Sequence, residues 1–105
     1  MTTPLRGQVY MADIGYGGKP WVVISNNQRN QKLSTVLAAR ITTTDRNRGL
    51  PTVVALASDD PLVGFILTDD IEQLDKDELV RPSGALSPRT LIALNNALRI
   101  ALAIP

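Results

Sequence analysis

The apolar residues of this chain fall in short runs separated by polar and glycine-bearing breaks, and their period changes once, near the C-terminus. Gln8-Val9-Tyr10-Met11-Ala12 stops at Asp13 and the glycine-rich Gly15-Tyr16-Gly17-Gly18, which predicts a strand entering a loop. Pro20-Trp21-Val22-Val23-Ile24 follows, β-branched and apolar on both faces. It predicts a strand buried on two sides and ended by the turn chemistry of Ser25-Asn26-Asn27. After the polar residues 28–32, a third strand is expected over 35–42, then a polar loop over 43–49 carrying Arg46 and Arg48. Residues 51–56 predict a fourth strand, with Pro51 at its first position, where a missing N–H is tolerated. Asp59-Asp60-Pro61 marks a turn. A fifth strand is expected over 63–68 and a shorter sixth, alternating polar and apolar, over 70–74. Five or six short strands so closely spaced predict a small barrel or sandwich.

From Ser87 the period becomes helical. Ser87-Pro88 offers an N-cap followed by proline at the first helical position, and Leu91, Leu94, Leu98 and Leu102 recur at spacings of three and four. The opposite face carries Arg89, Asn95, Asn96 and Arg99. An amphipathic helix of about four turns, packed on one side, is therefore expected. No repeat, linker or low-complexity segment divides residues 1–105, which read as one domain.

Composition narrows the chemistry more than the fold. Of the 105 residues, 44% are apolar and 20% charged, the balance of a folding chain rather than a disordered one. A domain of this size leaves much of its surface in water, so pairing with a second copy would add useful burial. Cysteine and histidine are both absent, which excludes disulfides, thiolate nucleophiles and cysteine- or histidine-bound metal. Any catalysis falls to Lys, Arg, Asp, Glu, Tyr, Thr or Ser. The first seven residues lack a signal-peptide pattern, and no stretch approaches the roughly 20 apolar residues of a membrane span. A cytoplasmic protein without membrane attachment is expected. The net charge of +1 hides a split: residues 1–57 carry +5 and the remainder −4. That asymmetry is what a basic face for an anionic partner produces, and also what uneven scatter on a solvated surface produces.

Six strings in unbroken order resemble the MazF/PemK/Kid toxin family. They are Arg6-Gly7-Gln8-Val9-Tyr10; Gly18-Lys19-Pro20-Trp21-Val22-Val23-Ile24-Ser25-Asn26; Arg40-Ile41-Thr42; Leu50-Pro51-Thr52; Asp69-Asp70-Ile71-Glu72-Gln73-Leu74-Asp75-Lys76; and the closing helix from Ser87-Pro88. With its short loop after Ala12 the chain is most similar to the actinobacterial MazF-like members. The resemblance implies a small SH3-like (CcdB/PemK-type) barrel of five to six strands with a C-terminal helix. It also implies a toxin of a type II toxin-antitoxin system that cuts single-stranded RNA sequence-specifically, without ribosome, metal or other cofactor. The implied products are a 2′,3′-cyclic phosphate and a 5′-hydroxyl, and the implied partners are a second copy of the chain and a MazE-like antitoxin. A gyrase-binding toxin of the same fold is the alternative, and a non-catalytic RNA-binding barrel a third reading.

The implied catalytic positions are Lys19 and Thr42, and the implied RNA contacts are Tyr16, Gly18, Arg40, Thr52, Asp69 and Asp70. Lys19 stands where the family has arginine, exchanging a planar fork for a point charge. Desolvated beside Trp21 it would serve as a base; charged, it would stabilise a phosphorane. Arg40 replaces the family's proline and is either a compensating cation or a surface charge. Asp69 and Asp70 offer acceptors for base amino groups, or are two solvated turn residues. Tyr16 is positioned to stack on an unpaired base or to act as a packing lid. Glu72 departs from the family's usual arginine.

Overall fold

Alternation along three strands builds the centre of the molecule. The computed structural model describes residues 3–44 and 46–105; Met1, Thr2 and Asp45, the last within the loop expected over 43–49, lie outside the described residues. β1 (Gln8–Ala12) pairs antiparallel with β2 (Lys19–Val23), which pairs with β3 (Thr35–Thr42). Val9, Val22, Ala39 and Ile41 point to one face, while Tyr10, Trp21, Val23, Val36 and Ala38 point to the other, each set buried. The two-sided burial expected of the second strand is therefore present. The first face is covered by α2 (Pro88–Ala101), whose Leu94, Ala97 and Leu98 join that core.

Between β2 and β3, where the sequence reads only a turn and polar residues, lies a short helix, α1 (Asn27–Lys32). Local side-chain chemistry makes it: the Asn26 carboxamide oxygen accepts from the Arg29 N–H at 2.8 Å. Asn30, fully buried, donates to the Ser25 carbonyl at 3.0 Å and accepts from the Ser25 hydroxyl.

The second half departs further from the expected strands. β4 is confined to Val53–Ala55, shorter than the expected 51–56. The expected strands over 63–68 and 70–74 are one continuous strand, β5 (Phe65–Asp75). Its interruption is a bulge. Arg40 pairs with Leu67 but Ala39 pairs with Ile71, so Thr68, Asp69 and Asp70 have no opposite number on β3. The polar residues that look like a break in sequence are the bulge itself. A single 3₁₀ turn, Lys76–Glu78, leads into a sixth strand that the sequence does not announce, β6 (Leu79–Ala85). β6 contains Pro82 and Gly84 and is mostly exposed; it exists because its backbone pairs with β1 at the sheet edge, where proline is tolerated.

All pairings are antiparallel and the strand order is β4-β5-β3-β2-β1-β6. The class is mixed β with α and, among the described residues, the strands number six, with a helix at the C-terminus as expected. The ladder does not close on itself: β4 and β6 are the two edges of one sheet, so the strands form an open sheet under a helix rather than a sealed barrel.

α2 begins as its sequence predicts, with the Ser87 hydroxyl accepting from the Thr90 N–H at 3.3 Å and Pro88 in the first turn. Asp60 fastens this end to the preceding turn. Its carboxylate accepts from the Ser87 N–H at 2.7 Å, the Thr90 hydroxyl at 2.5 Å and the Ala57 N–H at 2.7 Å.

Candidate active site

The bulge in β5 and the alternation of β2 and β3 bring the chemistry to one face. Arg40 pairs directly with Trp21, and Lys19 lies two residues before Trp21, so the three side chains project together. Thr42, two residues after Arg40, shares that face. Above β2 the loop from Asp13 to Gly18 is folded tightly by its own first residue: the Asp13 carboxylate accepts from the N–H groups of Gly15 at 2.9 Å and Gly17 at 3.1 Å. Both glycines have positive φ, 113° and 85°, which a residue with a Cβ adopts only with strain. The loop carries Tyr16 out to the rim, 80% exposed.

Three adjoining depressions share these walls. One, of about 110 Å³, lies between the loop and β5 and is lined by Ile14, Tyr16, Gly17, Lys19, Trp21, Arg40, Asp70 and Glu72. A second, of about 250 Å³, is bounded by Gly18, Lys19, Pro20, Arg40, Thr42 and Val63. The third, of about 230 Å³, lies toward the 43–49 loop and is bounded by Arg40, Thr42, Thr44, Arg46 and Asn47. Arg40 borders all three, Lys19 the first two and Thr42 the last two, so they form one groove with a cation at its centre.

The side chains in this groove are prepared for different tasks. The Thr42 hydroxyl oxygen accepts from the Thr44 N–H at 3.2 Å, which leaves its O–H proton free to donate into the groove. Gly64 packs against the same strand end: a Cβ there would stand 2.5 Å from the Thr42 carbonyl oxygen. Lys19 is exposed at the mouth. Arg40 makes an ion pair with Asp70 at 3.8 Å, both side chains partly exposed, so the pair contributes little to stability and leaves the guanidinium available. Among the described residues, two N–H donors are buried without a partner, Trp21 Nε1 and Arg40 Nε. Leaving a buried donor unpaired costs about 1–3 kcal/mol, so these mark a place where a ligand can repay the folded chain.

The groove thus gathers Lys19, Thr42, Tyr16, Gly18, Arg40 and Asp70. It does not gather Thr52 and Asp69, which line none of the three depressions; the Thr52 hydroxyl donates to the Asp69 carboxylate at 2.6 Å beside the β4–β5 pairing. The bulge turns the two neighbouring aspartates apart, Asp70 to Arg40 and Asp69 to Thr52. Trp21, Glu72, Arg46 and Asn47 line the groove although the sequence reading did not select them. For Trp21 and Glu72 the signal was available only through register, since each shares its strand face with a selected residue. Among the described residues, no group of three or more His, Cys, Asp or Glu side chains converges as a metal site would require.

Over residues 5–102 the chain matches the sequence profile of the PemK-like, MazF-like toxins of type II toxin-antitoxin systems. The chain belongs to this family. It is 50% identical over 105 residues, spanning 100% of this chain and 98% of the relative, to endoribonuclease MazF4 of Mycobacterium tuberculosis strain H37Rv. It is 32% identical over 109 residues to endoribonuclease MazF of Staphylococcus saprophyticus, spanning 94% and 91% of the two chains. A solved mycobacterial endoribonuclease, in complex with its cognate antitoxin, superposes with a TM-score of 0.93 at 50% identity over 97% of each chain. Among the described residues no helix is long and apolar enough to cross a membrane.

Proposed function

We infer that the chain is a toxin endoribonuclease of a type II toxin-antitoxin system that cleaves single-stranded RNA within the groove around Arg40. The observation that carries this reading is the convergence of Lys19, Arg40 and Thr42 on one groove in a member of a family whose similar relatives are named endoribonucleases. RNA supplies its own nucleophile. The 2′-hydroxyl oxygen attacks the adjacent phosphorus and gives up its proton. The P–O5′ bond breaks, and the leaving oxygen takes a proton to become a 5′-hydroxyl beside a 2′,3′-cyclic phosphate. No metal is needed for that sequence of steps. What the protein must provide is charge and donors for the phosphorane. Arg40 and Lys19 supply the positive charge. Thr42, with its oxygen already occupied by the Thr44 N–H, donates its proton to a non-bridging oxygen.

The family and the antitoxin complex of the 50%-identical relative support a MazE-like antitoxin as the partner, which we place over this groove, with both proteins in the cytoplasm. A homodimer is supported by apolar surface left outside: Leu5, Leu102 and Ile104 are each about half exposed, and Leu102 and Ile104 border a groove of about 380 Å³ with Ile24, Leu37 and Leu98. The gyrase-binding alternative is not favoured, because the relatives at 50% and 32% identity are named endoribonucleases.

The test is incubation of the purified protein with a long single-stranded RNA in EDTA. Defined new ends bearing a 5′-hydroxyl are expected, with no cut at a site carrying 2′-deoxyribose. Cleavage of the deoxy site, or loss of all activity in EDTA, overturns the mechanism; retardation without cleavage makes the protein a binder.

A further inference from the structure

We propose that the depression between the 13–18 loop and β5 is a guanine-selective base subsite, read by Trp21, Arg40 and Glu72. This rests on the RNA-cleaving reading of the groove and adds the base chemistry.

Trp21 is 3% exposed, yet its Nε1–H has no partner among the described residues, and the same holds for the buried Arg40 Nε–H. Both side chains line this one depression, so a ligand seated there, with a small shift of the side chains that cover the two N–H groups, would pair both donors. The facing wall carries the carboxylates of Asp70 and Glu72. Asp70 forms the loose 3.8 Å ion pair with Arg40, whereas Glu72 is exposed and pairs across the ladder with Ala38, which in turn pairs with Val23. Lys19 and Arg40 balance Asp70 and Glu72 in this lining, so the depression carries no net charge to favour a phosphate. A neutral base with an acceptor edge and a donor edge satisfies both walls. At about 110 Å³ the space exceeds what one or two waters fill, and Tyr16 at its rim offers an aromatic face for stacking.

Donor and acceptor patterns then choose among the bases. Guanine carries two adjacent acceptors, N7 and O6, and on its other side two adjacent donors, N1–H and the 2-amino group. The first pair suits Trp21 and Arg40, and the second suits a carboxylate that accepts both N–H groups. Adenine alternates an acceptor with an amino donor, so it leaves one of the two buried donors unpaired. Uracil has no amino group for Glu72, and cytosine has one amino group rather than two adjacent N–H donors.

The experiment measures binding by fluorescence anisotropy, using short oligoribonucleotides with 2′-deoxyribose at the mapped cut site. A guanine in the preferred sequence is replaced in turn by inosine, which lacks the 2-amino group, by adenine, by cytosine and by an abasic residue. Each replacement is expected to weaken binding to the wild-type protein about tenfold or more. Glu72→Gln, an exposed change, should make inosine and guanine bind within about twofold of each other. Trp21→Phe, which keeps a ring but removes the N–H, should narrow the guanine-over-adenine preference about tenfold and leave the inosine penalty in place. A preferred sequence without guanine, an abasic oligonucleotide that binds as well, or an inosine penalty that survives Glu72→Gln overturns the proposal while cleavage stands. Guanine-selective binding without any cleavage leaves the subsite in place and removes the nuclease.

Discussion

In the mechanism proposed above, Lys19 and Thr42 hold the greatest leverage on the chemistry. The phosphorane gains negative charge as it forms, and one aimed donor typically changes such a rate by about 10²–10³. Lys19→Ala and Thr42→Ala are each expected to lower the cleavage rate by about that factor while the thermal unfolding curve stays unchanged. Lys19→Arg separates the two roles open to this residue. Lys19 is exposed, so we expect it to act through charge, and the arginine variant, which keeps a cation at this position, should remain active. Collapse of activity in Lys19→Arg would instead make lysine the base, and wild-type rates for the alanine variant would transfer its part to Arg40. These positions were legible as residues because each sits in a matching string. Trp21 was not. A tryptophan inside a five-residue apolar run reads as core, and so it is; only its N–H, unpaired among the described residues, motivates the subsite proposed for it.

Elements succeeded or failed as sequence signals according to what stabilises them. α2 was readable because its cap, first-turn proline and apolar stripe are all local. β6 was invisible because it is held by β1 and by no pattern of its own. The start of α2 also carries a pH signature. Burial tends to raise the Asp60 carboxyl, but hydrogen bonds from the Thr90 hydroxyl, the backbone N–H groups of Ser87 and Ala57 and the Ser87 side chain outweigh it, and the pKa falls below the usual 3.8. A carboxylate so lowered stabilises the fold fully above pH 3.8 and loses that contribution as pH falls through its depressed value. Thermal unfolding followed from pH 7 downward should therefore show the wild type losing stability at the acid end. Asp60→Asn should be less stable at neutral pH, by about 1–3 kcal/mol, and should show a smaller acid-end loss. Equal pH profiles for the two would remove Asp60 from that role.

The whole chain presents a basic first half and an acidic second half, yet the groove draws on both: Lys19 and Arg40 come from one, Asp70 and Glu72 from the other. An antitoxin segment that competes with RNA should accordingly be acidic where it crosses Arg40 and should bind more weakly as salt rises. Light scattering at micromolar concentration is expected to give twice the chain mass of 11.4 kDa. Leu102→Asp together with Ile104→Asp should shift it toward monomer, because both border the exposed apolar groove. A monomer in the wild type with full cleavage would contradict the dimer.

The sequence by itself determined the antiparallel centre of the sheet, the capped C-terminal helix, the family, and the identity of the cations Lys19 and Arg40. All of these follow from alternation, capping and short strings, which are local. The fold decided what depends on register. Three unpaired residues in β5 split Asp69 from Asp70, sending one to Thr52 and the other to Arg40. The pairing of Trp21 with Arg40 brought two residues whose buried N–H groups have no partner among the described residues into the lining of a depression that Glu72 shares. A strand's neighbours lie tens of residues away along the chain, so whether adjacent residues share a site or part from it is fixed by pairing, and no local pattern records it.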